Sequence, residues 1–440
     1  MNLMLSLGLF LAGLLTGKGF LQDRDAPDMY ESPVRVQEWR GKKDARELAR
    51  HNMEFGFKLL QRLASNSPQG NIFLSPVSIS TAFSMLSLGA QSSTLEEIRE
   101  GFNFKEMSDS DMHMGFHYLL HKLNRETQDI KMSVGNALFM DQKLRPQQRF
   151  LKLARTVYDA DMVLTNFQDL ENTQKDINKY ISRKTHNRIK DMVKNIDPGT
   201  VMLLTNYIYF QGTSSRHGEG PYTTSPESGK MAATDQRGRW EFEFDPKQTK
   251  EEEFFIEKGK TVKVPMMFQR GMYDMAYDSQ LSCTILEIPY RGNITATFVL
   301  PDDGKLELLE QGLQADIYAK WKSLLSKRLV DVWVPRLHIS ATYNMKKVLS
   351  RLGISKIFEE NGDLTRISSH RSLKVGEAVH RAELKMDEKG TEGAAGSGAQ
   401  TLPMETPRRM KLNKPFLVMT YEKLTPSMIF LARIYDPSGK

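Results

Sequence analysis

The 440-residue sequence predicts an α+β fold with large sheets. Helix-like periodicity dominates the first half, and runs rich in β-branched and aromatic residues dominate the rest. The two kinds of segment do not alternate strictly, which argues against a doubly wound parallel sheet. A hydrophobic content of 40% over this length supplies a substantial core, in one large domain or two to three smaller ones, so disorder of the whole chain is excluded.

Taken in order, residues 1–20 read as a signal peptide. An apolar run over 3–15 is followed by small residues and is shorter than the ~18 apolar residues that span a bilayer. Cleavage is expected within 17–22, giving a secreted, extracellular chain with no membrane span. Residues 21–44 form an N-terminal tail, and the globular domain occupies 45–440. Its first helix is read over ARELARHNMEFGFKLLQRLAS (45–65), where Leu48, Phe55, Leu59, Leu60 and Leu63 recur near every 3.6 residues. Further helices are expected over 75–88, 94–101, 112–123, 149–158 and 173–185. Strand-like runs follow: SVGNALFM, TVMLLTNYIYF, KVPMMF, LSCTILEIPY, TATFVL, VDVWVPRLHI, AVHRAELKM and MKLNKPFLVMTY, cut by Gly, Pro and Asp turns.

Two stretches break this pattern. Residues 212–238, rich in Gly, Ser, Thr and charge, read as a disordered inserted loop. Residues 390–407, GTEGAAGSGAQTLPMETP, are small and almost uncharged between two strands. Treated as a strand, residues 391–402 place Thr391, Gly393, Ala395, Ser397, Ala399 and Thr401 on one face and their single charge, Glu392, on the other. The small face could enter the middle of a sheet without burying a charge.

Enzymatic signatures are missing: there is no Gly-x-Ser-x-Gly, His-Glu-x-x-His, Cys-x-x-Cys or phosphate loop. His113, His117 and His121 line one helical stripe within reach of a Zn²⁺, but no carboxylate or Cys is placed to complete a site, so a half-buried stripe and no metal is the expectation. Cys283 is the only cysteine, which rules out an internal disulfide; it lies in an apolar run and reads as a buried small hydrophobe. Asn293-Ile294-Thr295 is a sequon suited to a surface turn. A formal charge of +7, with basic clusters at 35–50 and 182–190, points to polyanions. For a secreted chain that means a heparin-like glycosaminoglycan and not nucleic acid; a solvated helix face is the plainer reading of each cluster.

Four segments, in order over nearly the whole mature chain, resemble the serpins, the family of large serine-protease inhibitors, and clade A among them. NIFLSPVSISTAFSMLSLGA (71–90) is similar to the segment whose two serines, here Ser75 and Ser78, lie beneath the central sheet. TNYIYF (205–210) resembles the third strand of that sheet, with Asn206 at its polar position. VGEAVHRAELKMDEKGTEGAA (375–395) resembles the fifth strand and hinge, and LNKPFLVMTYEKLTPSMIFLARIYDP (412–437) the closing strands. The resemblance implies three β-sheets, about eight or nine helices and an exposed reactive-centre loop over 388–408. It also implies a suicide mechanism: an extracellular serine protease cuts the loop, is trapped as an acyl-enzyme, and is carried across the molecule as the loop inserts into the central sheet. Carried over by position, Glu388, Gly390, Thr391, Gly393, Ala394 and Ala395 form the hinge, and the bond cut is Met404-Glu405. Ser75, Ser78, Asn206, Trp240 and His380 control sheet opening. A Met before the bond suits chymotrypsin-like or elastase-like pockets, and the resemblance points to a kallikrein-related peptidase, with Arg408 and Arg409 as contacts beyond the cut. No cofactor is required, a heparin-like glycosaminoglycan is a candidate accelerator, and a monomer is expected. The alternative is a non-inhibitory serpin-fold binding protein or hormone carrier. One departure stands out: residues 213–238 are extra between the third strand and the family's Phe-x-x-x-Trp pattern, here resumed at Trp240, and read either as a functional loop or as retained non-coding sequence.

Overall fold

The computed structural model describes residues 33–124, 131–211, 240–369, 373–388 and 406–438. In chain order these form α1 (Pro33–Asn66), β1 (Ile72–Leu74), α2 (Pro76–Ser87), α3 (Ser92–Gly101), α4 (Asp109–Leu123), β2 (Lys131–Asp141), α5 (Gln148–Tyr158), β3 (Asp161–Thr165), α6 (Leu170–Lys184) and β4 (Met202–Gln211). After them come β5 (Lys250–Glu257), β6 (Lys260–Asp278), β7 (Cys283–Pro289), β8 (Ile294–Pro301), α7 (Leu306–Gly312), α8 (Ile317–Leu324), β9 (Ser326–Pro335), β10 (Leu337–Asn344) and α9 (Met345–Ser350). The chain closes with β11 (Glu377–Met386), β12 (Arg408–Lys411), β13 (Phe416–Glu422) and β14 (Ser427–Ile434).

Each helix expected from periodicity is present. The first begins at Pro33, inside the stretch read as a tail, and packs along α4, where a Cβ on Gly41 would meet the Tyr118 ring. Helix α2 is buried on every side, as a helix at the centre of a domain must be. Ser75 caps it, its Oγ accepting from the Ser78 amide, and Pro76 occupies the first turn, where a missing N–H costs nothing.

The strands form two hydrogen-bonded sheets. A five-stranded sheet runs β10-β11-β4-β2-β3, and a nine-stranded one runs β1-β14-β13-β8-β7-β6-β9-β12, with β5 also on β6. The larger divides into two sectors at the long β6, which pairs with β5 and β9 along one part and with β7 at its end. Counted by sector, the three sheets expected are present. The run VDVWVPRLHI, read as one strand, is two: β9 belongs to the nine-stranded sheet and β10 to the five-stranded one. The break falls at Pro335-Arg336, where proline offers no ladder donor and the Arg336 amide turns to the Pro265 carbonyl. Strand β5, KEEEFFIE, escaped the sequence reading because only Phe254 and Ile256 are buried in it.

The main core lies between the two sheets and around α2. A second, smaller one is made where α6 lays Ile177 and Ile181 on the other face of the five-stranded sheet, against Phe139, Leu203 and Tyr207. The five-stranded sheet is therefore covered on both faces. That leaves its strand-to-strand seams as the places where it can change.

Candidate functional site

Strands β4 and β11 are parallel neighbours, paired from Glu377↔Leu203 to Glu383↔Tyr209. At the middle of this seam His380 lies opposite Asn206; across β4, Asn206 lies opposite Asn136 of β2, and across β11, His380 lies opposite Tyr343 of β10. Register thus lines up four polar residues across four adjacent strands.

The first turn of α2 sits beneath them. Ser78 Oγ donates to Asn206 Oδ1 (2.9 Å), and Asn206 Nδ2 donates to the Ser78 carbonyl (2.9 Å) and to Asn136 Oδ1 (2.7 Å). His380 Nδ1 lies 2.6 Å from Asn206 Oδ1, an acceptor, so Nδ1 carries the proton. The Ser75 amide then donates to the free Nε2 (3.3 Å). Both ring nitrogens are used and the imidazole is neutral; complete burial pushes its pKa down to about 3. The four residues expected from the sequence, Ser75, Ser78, Asn206 and His380, are all buried and all within this one network. The Asn206–His380 bond joins the two strands' side chains directly. Because the cluster is sealed from solvent, it can receive no substrate. It can hold two strands together or, with its bonds broken, let them part.

The upper end of the seam is organised around the chain just before the predicted loop. Trp240, fully buried and stacked on Tyr290 (centroids 4.2 Å apart), donates Nε1–H to the Asp387 carbonyl (3.0 Å). The Phe244 amide donates to the Glu388 carbonyl (2.7 Å). The Glu388 carboxylate accepts from Arg336 Nε (2.8 and 3.0 Å) and from Thr249 Oγ1 (2.5 Å). Burial raises its pKa, but the hydrogen bonds from Arg336 and Thr249 outweigh that and hold it below the usual glutamate value. Trp240 and Glu388 are therefore brought together at the end of the described chain that follows β11. The other hinge positions, Gly390, Thr391, Gly393, Ala394 and Ala395, and the bond Met404-Glu405 lie outside the described residues, as does the segment 213–238.

The remaining candidates lie elsewhere. Asn293 is exposed in the turn between β7 and β8, its carbonyl accepting from the Lys423 amide (2.7 Å). Cys283 is buried on β7, and burial pushes its thiol up to about 12, so it is a small hydrophobe and not a nucleophile. His113 turns inward to Tyr158 Oη (2.5 Å), and burial pushes it down to about 4, while His117 approaches the Val157 carbonyl. No three His, Cys, Asp or Glu converge as a metal site among the described residues. Basic side chains from Arg40 to Arg50 and from Arg183 to Lys190 are largely exposed on α1 and at the end of α6.

Sequence reading missed Asn136, Arg336 and Thr249. The available signal for Asn136 was a lone polar residue inside the apolar run SVGNALFM. The other two have no local signal.

Comparison with known proteins gives a consistent result. The family model described as "Serpin (serine protease inhibitor)" matches residues 50–217 and 233–437, leaving out only 218–232 between them. Serpin A12 of Rattus norvegicus is 85% identical over 437 residues, covering 99% of this chain and 100% of that one. Serpin A12 of Mus musculus is 83% identical over 439 residues, covering both chains in full. Among solved structures, human thyroxine-binding globulin complexed with its hormone is similar with a TM-score of 0.79 at 32% identity, over 90% of this chain and 99% of that one.

Proposed function

The chain belongs to the serpin family, and from that premise we propose that it is a secreted inhibitor of extracellular serine proteases acting by loop insertion. The observation that carries the reading is the match between a seam and a segment. The β4–β11 seam ends directly at the base of a stretch whose one face is small and uncharged from Thr391 to Thr401. Such a stretch can become a strand between β4 and β11 without burying a charge; serpin loop insertion is itself a known instance of strand addition to a sheet.

In this reading a protease attacks Met404-Glu405, the Met side chain filling a hydrophobic primary pocket, and the acyl-enzyme forms with loss of the downstream peptide. The freed loop folds at Glu388, Gly390 and Thr391, parts β4 from β11, and drags the protease with it before water can release it. Ser75, Ser78, Asn206 and His380 hold the sheet closed until then, and Trp240 anchors the strand end from which the loop departs. A kallikrein-related peptidase of chymotrypsin-like specificity is the proposed target. The basic surface at 182–190, beside the sheet that opens, is the proposed contact for a heparin-like glycosaminoglycan. Asn293 is the proposed glycosylation site.

The test is an SDS gel of the protein incubated with a chymotrypsin-like kallikrein peptidase, with mass spectrometry of the released peptide. A stable complex and a peptide beginning at Glu405 are expected. Cleavage with neither a complex nor a gain in thermal stability would overturn the reading in favour of a non-inhibitory carrier, the kind of role that thyroxine-binding globulin's name describes for that protein.

A further inference from the structure

The edge of the five-stranded sheet opposite β10 carries a groove that has no part in the proposed inhibition. Edge strand β3 pairs with β2 alone, and its side chains alternate: Val163 joins the small core under α6, while Met162 and Leu164 belong to the other face. Leu164 is 56% exposed, more than any other large hydrophobic side chain among the described residues. Helix α5 runs beside this face without covering it. It turns Phe150, Ala154 and Tyr158 into the core, which leaves the adjoining stripe of Leu151, Lys152 and Arg155 facing the strand across a gap. The gap is a cavity of about 380 Å³, floored by the buried Met140 and walled by Pro146, Leu151, Met162 and Leu164. Its charged lining residues are Lys152 and Arg155, both exposed, and no carboxylate lines it. Neither cation has an ion-pair partner among the described residues. Arg155 also borders a neighbouring cavity that contains Asp159, but the charges acting on Asp159 are those of Asp161 and Lys184.

We propose that the groove between α5 and β3 binds an amphipathic anion, an alkyl carboxylate whose chain lies on Met140, Met162 and Leu164 and whose head is held by Arg155 and Lys152. The argument is complementarity of shape and charge. Small-molecule sites are concave and mostly apolar, on the order of 300–1,000 Å³, with a few polar groups that fix the orientation of the ligand. Two flexible methionines suit an alkyl chain of no fixed shape, and covering Leu164 removes an exposed apolar surface from water. The head must be an anion, because the planar fork of Arg155 matches a carboxylate bidentately and a cationic head would meet two like charges. The same two cations argue against a second copy of this chain as the occupant. A symmetric pairing of two β3 edges would set each Lys152 and Arg155 against its own equivalent. The groove lies two strands away from the β4–β11 seam, so it stands or falls apart from loop insertion. It gives the protein a second role, the carriage of a small lipid-like anion.

The test is isothermal titration calorimetry of the intact protein near neutral pH, where an alkyl carboxylate is ionised. The probes are dodecanoate and, with the opposite charge on the same chain, dodecyltrimethylammonium, each below its micellar concentration. Dodecanoate should bind at a single site and about tenfold or more tighter than the cation. Leu164→Glu puts a charge in the path of the chain, and Arg155→Glu reverses the contact with the head. Each should weaken dodecanoate binding about tenfold or more. Both side chains are exposed, so the unfolding midpoint should not move in either variant. Leu308→Glu, at an exposed apolar residue of α7, should bind dodecanoate as the unaltered protein does. Equal affinity for the two probes, or a loss in Leu308→Glu to match that in Leu164→Glu, would make the binding a general surface effect and overturn the proposal. The absence of dodecanoate binding, or undiminished binding in Leu164→Glu or Arg155→Glu, would overturn it too. A dimer that Leu164→Glu dissolves, in a protein that takes up no dodecanoate, would assign the groove to a second copy instead.

Discussion

In the middle of the β4–β11 seam, Asn206 and His380 meet as neutral groups with almost no exposed surface; at its top, Glu388 meets Arg336 as an ion pair whose cation is 44% exposed. A desolvated neutral network is worth keeping only if every member is satisfied, because each orphan costs roughly 1–3 kcal/mol. The ion pair at the top is open to water only at its cation; Glu388 is buried, so the pair is worth more than the about 0–1 kcal/mol of a fully exposed one, but water and salt still reach the Arg336 side. If the sheet opens as proposed, the middle is accordingly where its closure is decided. The top is where closure can be adjusted by salt, pH or contact with the loop.

The largest expected effect breaks the symmetry of that comparison from outside. Thr391→Arg, just beyond Glu388, places a charge where the inserted strand would be buried. It should abolish the SDS-stable protease complex and leave the unfolding midpoint of the intact protein unchanged; complex in undiminished yield would sink the insertion reading. Next comes Asn206→Ala. It strands Ser78 Oγ, Asn136 Oδ1 and His380 Nδ1 together, and should cost roughly 2–4 kcal/mol in denaturant unfolding. Arg336→Ala takes the guanidinium from the buried Glu388 carboxylate, whose other donor is Thr249, and should cost about 1–2 kcal/mol, and less at high salt. Equal costs for these two variants would contradict the contrast between middle and top.

The smallest effect is a difference in pH window. His380 is held neutral, well below the value it regains on unfolding, so its contribution is complete above about pH 6.5 and is lost as pH falls toward 3. Glu388 is held below an ordinary glutamate, so its contribution is complete above about pH 4.5 and is lost only below it. The unfolding free energy of the protein minus that of His380→Gln should therefore begin to shrink at a higher pH than the same difference for Glu388→Gln. Coincident windows would mean that the neutral imidazole does not close the middle of the seam.

What the sequence conceals follows the same division. Ser75, Ser78, Asn206 and His380 were legible only through the family resemblance of the stretches they sit in. Asn136 belongs with them only through strand register, seventy positions from Asn206, and no local signal fixes which strands are neighbours. Arg336 looked like one residue inside a strand. In the fold it is the corner between two sheets, and its partner Glu388 is 52 positions away. The helices were legible because α1 and α4 repeat their apolar residues with helical spacing.

The parallel pairing of β4 with β11 has one more consequence. A segment that leaves the end of β11 and turns back beside it must run antiparallel to β11. Because β4 points the same way as β11, that segment runs antiparallel to β4 as well. One parallel ladder, the weaker kind per residue, is exchanged for two antiparallel ones. With β10 already antiparallel to β11 and β2 antiparallel to β4, the only parallel pairing left in the enlarged sheet would be β2 with β3. For a loop that inserts as proposed, the incentive is thus written in the directions of two strands, before any side chain is considered.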